Sequence, residues 1–202
     1  GSEMCIRDSC NKWFMEDILG SEDYAGLQAR IAPEKLGHNH VYFLPYLMGE
    51  RSPINDTSAR GTFIGMTMDT SRADMLQAVL EGVAFAIRDS FEVARSLGIA
   101  IPRSMICGGG SKSPLWRQMI ADILGIPLDI PVTEQGPGYG GAMLAMVACG
   151  VFESVQQAAE KLIHVKDTVQ PDPERMALYE KRYQQFRQIY PACRELFKVL
   201  ER

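Results

Sequence analysis

Between Ser104 and Gly150 short apolar runs alternate with helices that carry their own start and stop signals, and this alternation constrains the fold more than any other feature. Ser104–Cys107 reads as a short apolar strand entering Gly108-Gly109-Gly110. Ser113-Pro114 then sets an N-cap hydroxyl ahead of a first-turn proline, and the helix that follows runs to Leu124 and is closed by Gly125. Leu128–Val132 reads as a second strand, and Gly138–Cys149 as a small-residue helix stopped by Gly150. Strand, helix, strand, helix in this order implies an α/β layer with at least partly parallel pairing, because a crossover helix carries the chain back to the same sheet.

The flanking segments extend this plan. Asn11–Ile31 carries apolar residues at Trp13, Phe14, Ile18, Leu27 and Ile31, and predicts a helix broken near Gly20, with Ser21 as the cap of the second piece and Pro33 as its end. Gly1–Cys10 shows no periodicity and is read as a non-native or disordered leader, leaving 11–202 as the domain. Val41–Leu47 and Gly61–Met68 predict strands, joined by the polar stretch Gly49–Arg60, which is either a functional loop or a long solvated connection. Ser71 with Asp74 forms a capping pair, and Met75, Val79, Val83, Ile87, Phe91 and Ala94 recur at helical spacing up to Leu97-Gly98. Ser154 with Gln157 caps another helix, and Asp172–Tyr190 predicts a charged amphipathic helix that Pro191 kinks or restarts.

Composition removes several function classes. Lys and Arg number 21 against 25 Asp and Glu, a net charge of −4, which argues against a nucleic-acid or anionic-membrane binder, whose affinity comes from a basic surface. Gly141–Phe152, the most apolar run, is far shorter than the roughly 18–20 residues of a membrane span. The chain is therefore read as soluble and cytoplasmic. The five cysteines, Cys5, Cys10, Cys107, Cys149 and Cys193, form no Cys-x-x-Cys pair, and His38-Asn39-His40 reads as a turn after Gly37, so no metal site is assigned.

Two glycine runs stand where a ligand can meet helix N-termini. Gly108-Gly109-Gly110-Ser111-Lys112-Ser113 joins a strand to a helix; its glycines admit close backbone approach, and the first helical amides and Lys112 suit a phosphate or nucleotide. A plain tight turn accounts for the same residues. No Gly-x-x-x-x-Gly-Lys-Ser/Thr string aligns here, which excludes P-loop mechanics. Gly136-Pro137-Gly138-Tyr139-Gly140-Gly141 matches Gly-x-Gly-x-x-Gly. Pro137, the Thr133–Gln135 gap and the lack of an acidic residue about 20 positions on argue against a dinucleotide fold, and so against an oxidoreductase. This run reads better as a second loop facing the first across adjacent strands. No complete active site is legible in the residues.

Tyr42–Pro53, Ala59-Arg60-Gly61, Leu80–Phe85, Gly108–Ser113 with Leu115-Trp116-Arg117, and Ala121-Asp122, in that order, resemble the C-terminal domain of the FGGY carbohydrate kinases, most nearly those acting on the ketopentose D-xylulose. The resemblance runs from about Asn11 to Phe197. It implies an α/β fold, the C-terminal lobe of the actin-like or Hsp70-like (ribonuclease H-like) ATPase, with that lobe's first strands lying upstream of Asn11. It implies ATP with Mg2+ as phosphoryl donor, and a separate N-terminal domain that carries the catalytic aspartate and most of the sugar contacts, so that no catalytic residue falls in this chain and the chain alone is inactive. On this likeness Gly109, Gly110 and Ser113 line the nucleotide site with Gly108 and Lys112 nearby, Gly138, Gly140 and Gly141 form the facing loop, and Glu50, Arg51, Asp56 and Arg60 lie toward the interdomain cleft. A homodimer is a further implied partner. Ribulose, fucose, gluconate and glycerol kinases of the same family, and a non-catalytic α/β interaction domain, are the alternatives.

Overall fold

A computed structural model describes residues 9–132 and 136–200. Helix α1 (residues 9–13 of the described chain) runs into a π-helical turn, Phe14–Ile18, and buries Cys10, Phe14 and Met15. The packed chain thus reaches into the segment read as a leader; Gly1–Asp8 lie outside the described residues. Gly20, with φ +63°, separates α1 from the short helix α2 (Tyr24–Gln28). The α2 cap is Asp23, whose carboxylate accepts from the Gly26 amide, and Ser21 instead accepts from the Asp23 amide. The expected cap was two residues early because either polar side chain suits the position and only the turn geometry chooses.

Strands β1 (Tyr42–Leu44) and β2 (Thr62–Ile64) pair antiparallel, shorter than the runs Val41–Leu47 and Gly61–Met68 from which they were expected. Pro45 follows β1, and Gly65 at φ +89° turns the chain out of β2, leaving Met66 and Met68 exposed. Helix α3 (Arg72–Ser96) carries the full capping box of Ser71 and Asp74. Its middle, from Leu76 to Ala86, is buried on nearly every side rather than along one stripe, because β1, helix α4 (Pro114–Leu124) and helix α7 (Pro173–Val199) surround it.

A second sheet holds β3 (Ser104–Met105), β4 (Leu128–Pro131) and β5 (Val165–Val169), in the order β3-β4-β5. The β3–α4–β4 crossover gives the expected parallel pair, while β4 and β5 run antiparallel. Asp129 of β4 ties the layer together: Arg103 pairs with its carboxylate at 2.9 Å, and the Thr168 hydroxyl of β5 donates to it at 2.7 Å. Helices α5 (Gly136–Ala148) and α6 (Val155–Leu162) pack on each other, and Leu144 and Met146 of α5 are exposed. Helix α7 continues through Pro191 to Val199, so the helix does not restart there. A proline removes one backbone donor, but Phe186, Ile189 and Phe197 are buried on both sides of it, and that packing carries the helix across the gap.

The α3 cap gives a pH prediction. Burial pushes the Asp74 carboxyl up, but hydrogen bonds from Lys35 at 2.8 Å and from Ser71 outweigh it and hold the group at about 2. A depressed carboxyl contributes stability that is complete above its unfolded value near 3.9 and is lost as pH falls through the folded value. Unfolding by urea should therefore become easier between about pH 4 and pH 2, and Asp74→Asn should flatten that part of the profile.

Candidate nucleotide site

The glycine run has a definite shape. Gly108 takes φ +89°, ψ −167°, a conformation open to glycine, and Gly109–Lys112 form one 3-10 turn. The Ser111 hydroxyl donates to the Gly108 carbonyl at 2.6 Å and pins the turn. Ser113 then caps α4: its Oγ accepts from the Trp116 amide at 3.1 Å, Pro114 fills the first helical position, and Gly125 in the left-handed region closes the helix. The Trp116 indole donates to the Leu80 carbonyl of α3 at 3.0 Å, so the start of α4 is fixed against the buried helix.

Beside this turn lies a cavity of about 860 Å³. Gly109, Lys112, Ser113 and Trp116 form one wall, and Asn11, Lys12, Tyr24 and Gln28, from α1 and α2, form the other. Ser9 adds a hydroxyl, and the rest of the lining is apolar, with Ala25, Ala29, Ile31, Pro33, Pro114 and Leu115. Among the described residues no carboxylate lines it, whereas two lysines and the N-terminal end of α4 do. Such a space suits a flat, weakly polar group carrying an anionic tail, since the lysines and the helix end favour negative charge while the apolar wall takes the ring. Two buried carboxamides belong to its lining. Gln28, 7% exposed, accepts a hydrogen bond from the Ser113 hydroxyl, and Asn11, also 7% exposed, has a fully buried Oδ1 with no hydrogen-bond partner among the described residues. The Tyr24 phenol, pushed up to about 12 mainly by burial and also by its hydrogen bond to Glu16, stays protonated at neutral pH.

The expected site residues divide. Gly109, Lys112 and Ser113 line the cavity. Gly108 shapes the turn behind it, and Gly110 is buried over a separate apolar cavity of about 80 Å³ beneath the loop. Gly138, Gly140 and Gly141 sit inside the first turns of α5 with open space beside each, and are not among the cavity's lining residues. Each glycine costs a helix interior about 1 kcal/mol relative to Ala, and the packing of α5 on α6 accompanies the helix that forms here all the same. Residues 133–135 just before it lie outside the described residues.

The polar stretch Gly49–Arg60 folds on itself. Glu50 and Asp56 exchange backbone hydrogen bonds, Glu50 accepts from the Ser52 amide, Asp56 accepts from the Ser58 amide, and Arg60 donates to the Thr57 and Ala59 carbonyls. The Tyr190 hydroxyl of α7 donates to Asp56 at 2.6 Å, which lowers the Asp56 carboxyl; burial first, and then this bond, push the phenol up to about 12. Arg51 is exposed in the same loop. Asn11 and Gln28 were invisible to the sequence reading, because Gln28 lies 85 residues from its partner Ser113 and no local pattern marks either.

Three comparisons agree with this geometry. Residues 4–149 match the model of the FGGY family of carbohydrate kinases, C-terminal domain. The xylulose kinase of Escherichia coli is 35% identical over 94% of this chain and 39% of its own length, and that of Staphylococcus epidermidis is 33% identical over 91% and 37%. The crystal structure of ligand-bound xylulose kinase from Lactobacillus acidophilus superposes with a TM-score of 0.83 at 25% identity, covering 96% of this chain and 39% of that one. The chain thus spans well under half the length of these relatives, and the fold it shares with them is the C-terminal lobe of the actin-like ATPases. A match that takes in β1, the glycine turn and α4 together, backed by the superposition, places the chain in the FGGY family of carbohydrate kinases, through its C-terminal domain.

Proposed function

We propose that this chain is the nucleotide-binding lobe of an ATP-dependent kinase that phosphorylates D-xylulose to D-xylulose 5-phosphate, and that it has no kinase activity by itself. The observation that carries the reading is the apolar, cation-rimmed cavity at the N-terminal end of α4. Similarity to proteins named xylulose kinase supports the choice of sugar.

The donor set fits a nucleotide. Ala25, Ala29, Pro114 and Leu115 offer faces to a base, and Lys12 and Lys112 can meet the charge of a phosphate chain. ATP supplies the phosphoryl group, and transfer of that group depends on holding it in line with the acceptor hydroxyl and on neutralising its charge. The lobe contributes orientation: the fixed Trp116 and the capped start of α4 hold one wall, and α2 holds the other. Among the described residues no group of three or more His, Cys, Asp or Glu is placed to hold a metal, so none is assigned to Mg2+. The carboxylate that would take the sugar's proton is assigned to the N-terminal domain, which together with the ketopentose is the partner this lobe requires. No described helix is long and apolar enough to cross a membrane.

Assays of ADP release test both parts. The chain alone, given Mg-ATP and D-xylulose, should release no ADP above background. The longer protein that carries it should show its highest kcat/KM on D-xylulose among D-xylulose, ribulose, fucose, gluconate and glycerol. Turnover by the chain alone, or preference for another sugar, would contradict the proposal.

A further inference from the structure

We infer that helix α5 is the seat on which the polypeptide preceding this chain in the longer protein packs, a surface that rests on the lobe reading above and adds to it where the lobe is held. Its signature is an apolar helix left uncovered.

From Gly136 to Cys149 the sequence holds no charged or carboxamide side chain, and its one hydroxyl, on Tyr139, donates to the Leu162 carbonyl at 2.9 Å. A helix apolar on every side is ordinarily enclosed. Among the described side chains of α5, however, only Met143 is buried, and the main contact of the helix is with α6. Leu144 is 58% exposed, and the apolar surface continues through Val151, 64% exposed, whose amide bonds the Met146 carbonyl past the helix end. The helix that does face water is built differently: α7 turns Lys181, Gln184 and Gln188 outward and buries Tyr179, Tyr183 and Phe186. The exposed face of α5 is therefore patterned for burial. The sheet that α5 leaves is open as well, since β3 has a partner on one side alone among the described strands.

Length selects the occupant. This chain covers 37% to 39% of the xylulose kinases it is similar to, and the family model it matches is a C-terminal domain, so most of what those relatives hold in addition precedes the shared part. A preceding segment on the same polypeptide reaches α5 at an effective concentration of roughly millimolar, which a second copy of the chain or a separate protein does not match. No charge on α5 calls for an ionic partner, and the segment that covers it presents apolar side chains of its own.

Hydrogen exchange read by mass spectrometry, on the chain alone and on the longer protein, tests this surface. The amides of residues 140–148 should exchange at least about tenfold more slowly in the longer protein, because covering the helix raises the cost of opening it. Leu144→Glu should leave the urea midpoint of the chain alone unchanged and lower that of the longer protein by about 0.5 M or more, where the new charge has to be buried. Leu144→Ala should lower the longer protein's midpoint less, since only packing is lost. Equal exchange in the two proteins, or a longer protein indifferent to Leu144→Glu, would overturn the assignment. So would a chain that light scattering shows to be a dimer, dissociated by Leu144→Glu, with no added protection in the longer protein; the seat would then belong to a second copy. ADP release separates this surface from the function: turnover of D-xylulose by a longer protein with unprotected α5 would strike the surface and keep the function, and protection without turnover would do the reverse.

Discussion

Replacing Arg182 with Met should cost the fold about 3–5 kcal/mol, the range for stranding one partner of a buried ion pair. Arg182 of α7 is 5% exposed and Glu81 of α3 is 1% exposed. Their charged groups meet at 2.7 Å, Arg182 also donates to the Val41 carbonyl, and its guanidinium lies 4.3 Å from the Tyr42 ring centre. One residue therefore ties α7 to α3 and to the entrance of β1. Burial pushes the Glu81 carboxyl up, against the opposing pull of Arg182 and hydrogen bonds from Gln77 and Tyr179. The upward push already wins with Arg182 in place, and without Arg182 it grows. A carboxyl raised in the folded state gives most stability below its unfolded value and loses it as pH rises through the folded one, so the variant's deficit should be larger at pH 8 than at pH 5. Arg182→Met with Glu81→Gln should recover more than half of the loss, because no charge is then left unpaired. Urea unfolding at the two pH values measures all of this, and a single-variant loss below about 1 kcal/mol would remove the pair from the account of stability.

The second large effect is expected at Gly82, next along α3. A helix interior ordinarily gains about 1 kcal/mol when Gly becomes Ala. Here a Cβ would stand 2.1 Å from the Phe43 carbonyl oxygen and 3.1 Å from its carbon, in the backbone of β1. No side-chain rotation relieves a contact with backbone; β1 would have to move away from α3, and Phe43, stacked on Trp13 and packed on Phe63, would move with it. Overpacking of this kind costs about 1–3 kcal/mol or more, which outweighs the propensity gain. Gly82→Ala should thus lower the urea midpoint, whereas Gly98→Ala, at φ +78° but with nothing within 4 Å, should bear only the smaller backbone strain. A Gly82→Ala protein as stable as the parent would mean that the helix and strand are not in this contact.

These two residues explain part of what was legible in the sequence. Leu80-Glu81-Gly82 and Ala121-Asp122 belong to the stretches that carry the family resemblance, and their acids serve the fold. Glu81 holds Arg182, and Asp122 accepts from Arg175 at 2.6 Å and from the Asp172 amide at 2.7 Å. Both clamp α7, whose pairing partners lie 101 and 53 residues away in sequence, too far for any local pattern to reveal them. The capped helices were legible because caps are local: Ser71 with Asp74, and Ser113-Pro114 with Gly125, each work within one turn. Strand β5 was not, since Val165–Val169 is half polar and is held by pairing with β4 and by Thr168 on Asp129 rather than by an apolar face of its own. The same division runs through the site. One wall is a glycine turn that the sequence displays outright, and the other is assembled from α1 and α2 by tertiary packing.

The central claim is that the cavity between these walls takes a nucleotide, and titration calorimetry of the chain with Mg-ADP tests it most directly, beside an Ala25→Trp variant. Ala25 is exposed on α2 and lines the cavity, so an indole there should fill the space without disturbing the core. Saturable binding near one nucleotide per chain, abolished in a variant with unchanged circular dichroism, is the result this account expects. Absence of binding by the folded chain, or binding that Ala25→Trp leaves intact, would contradict it.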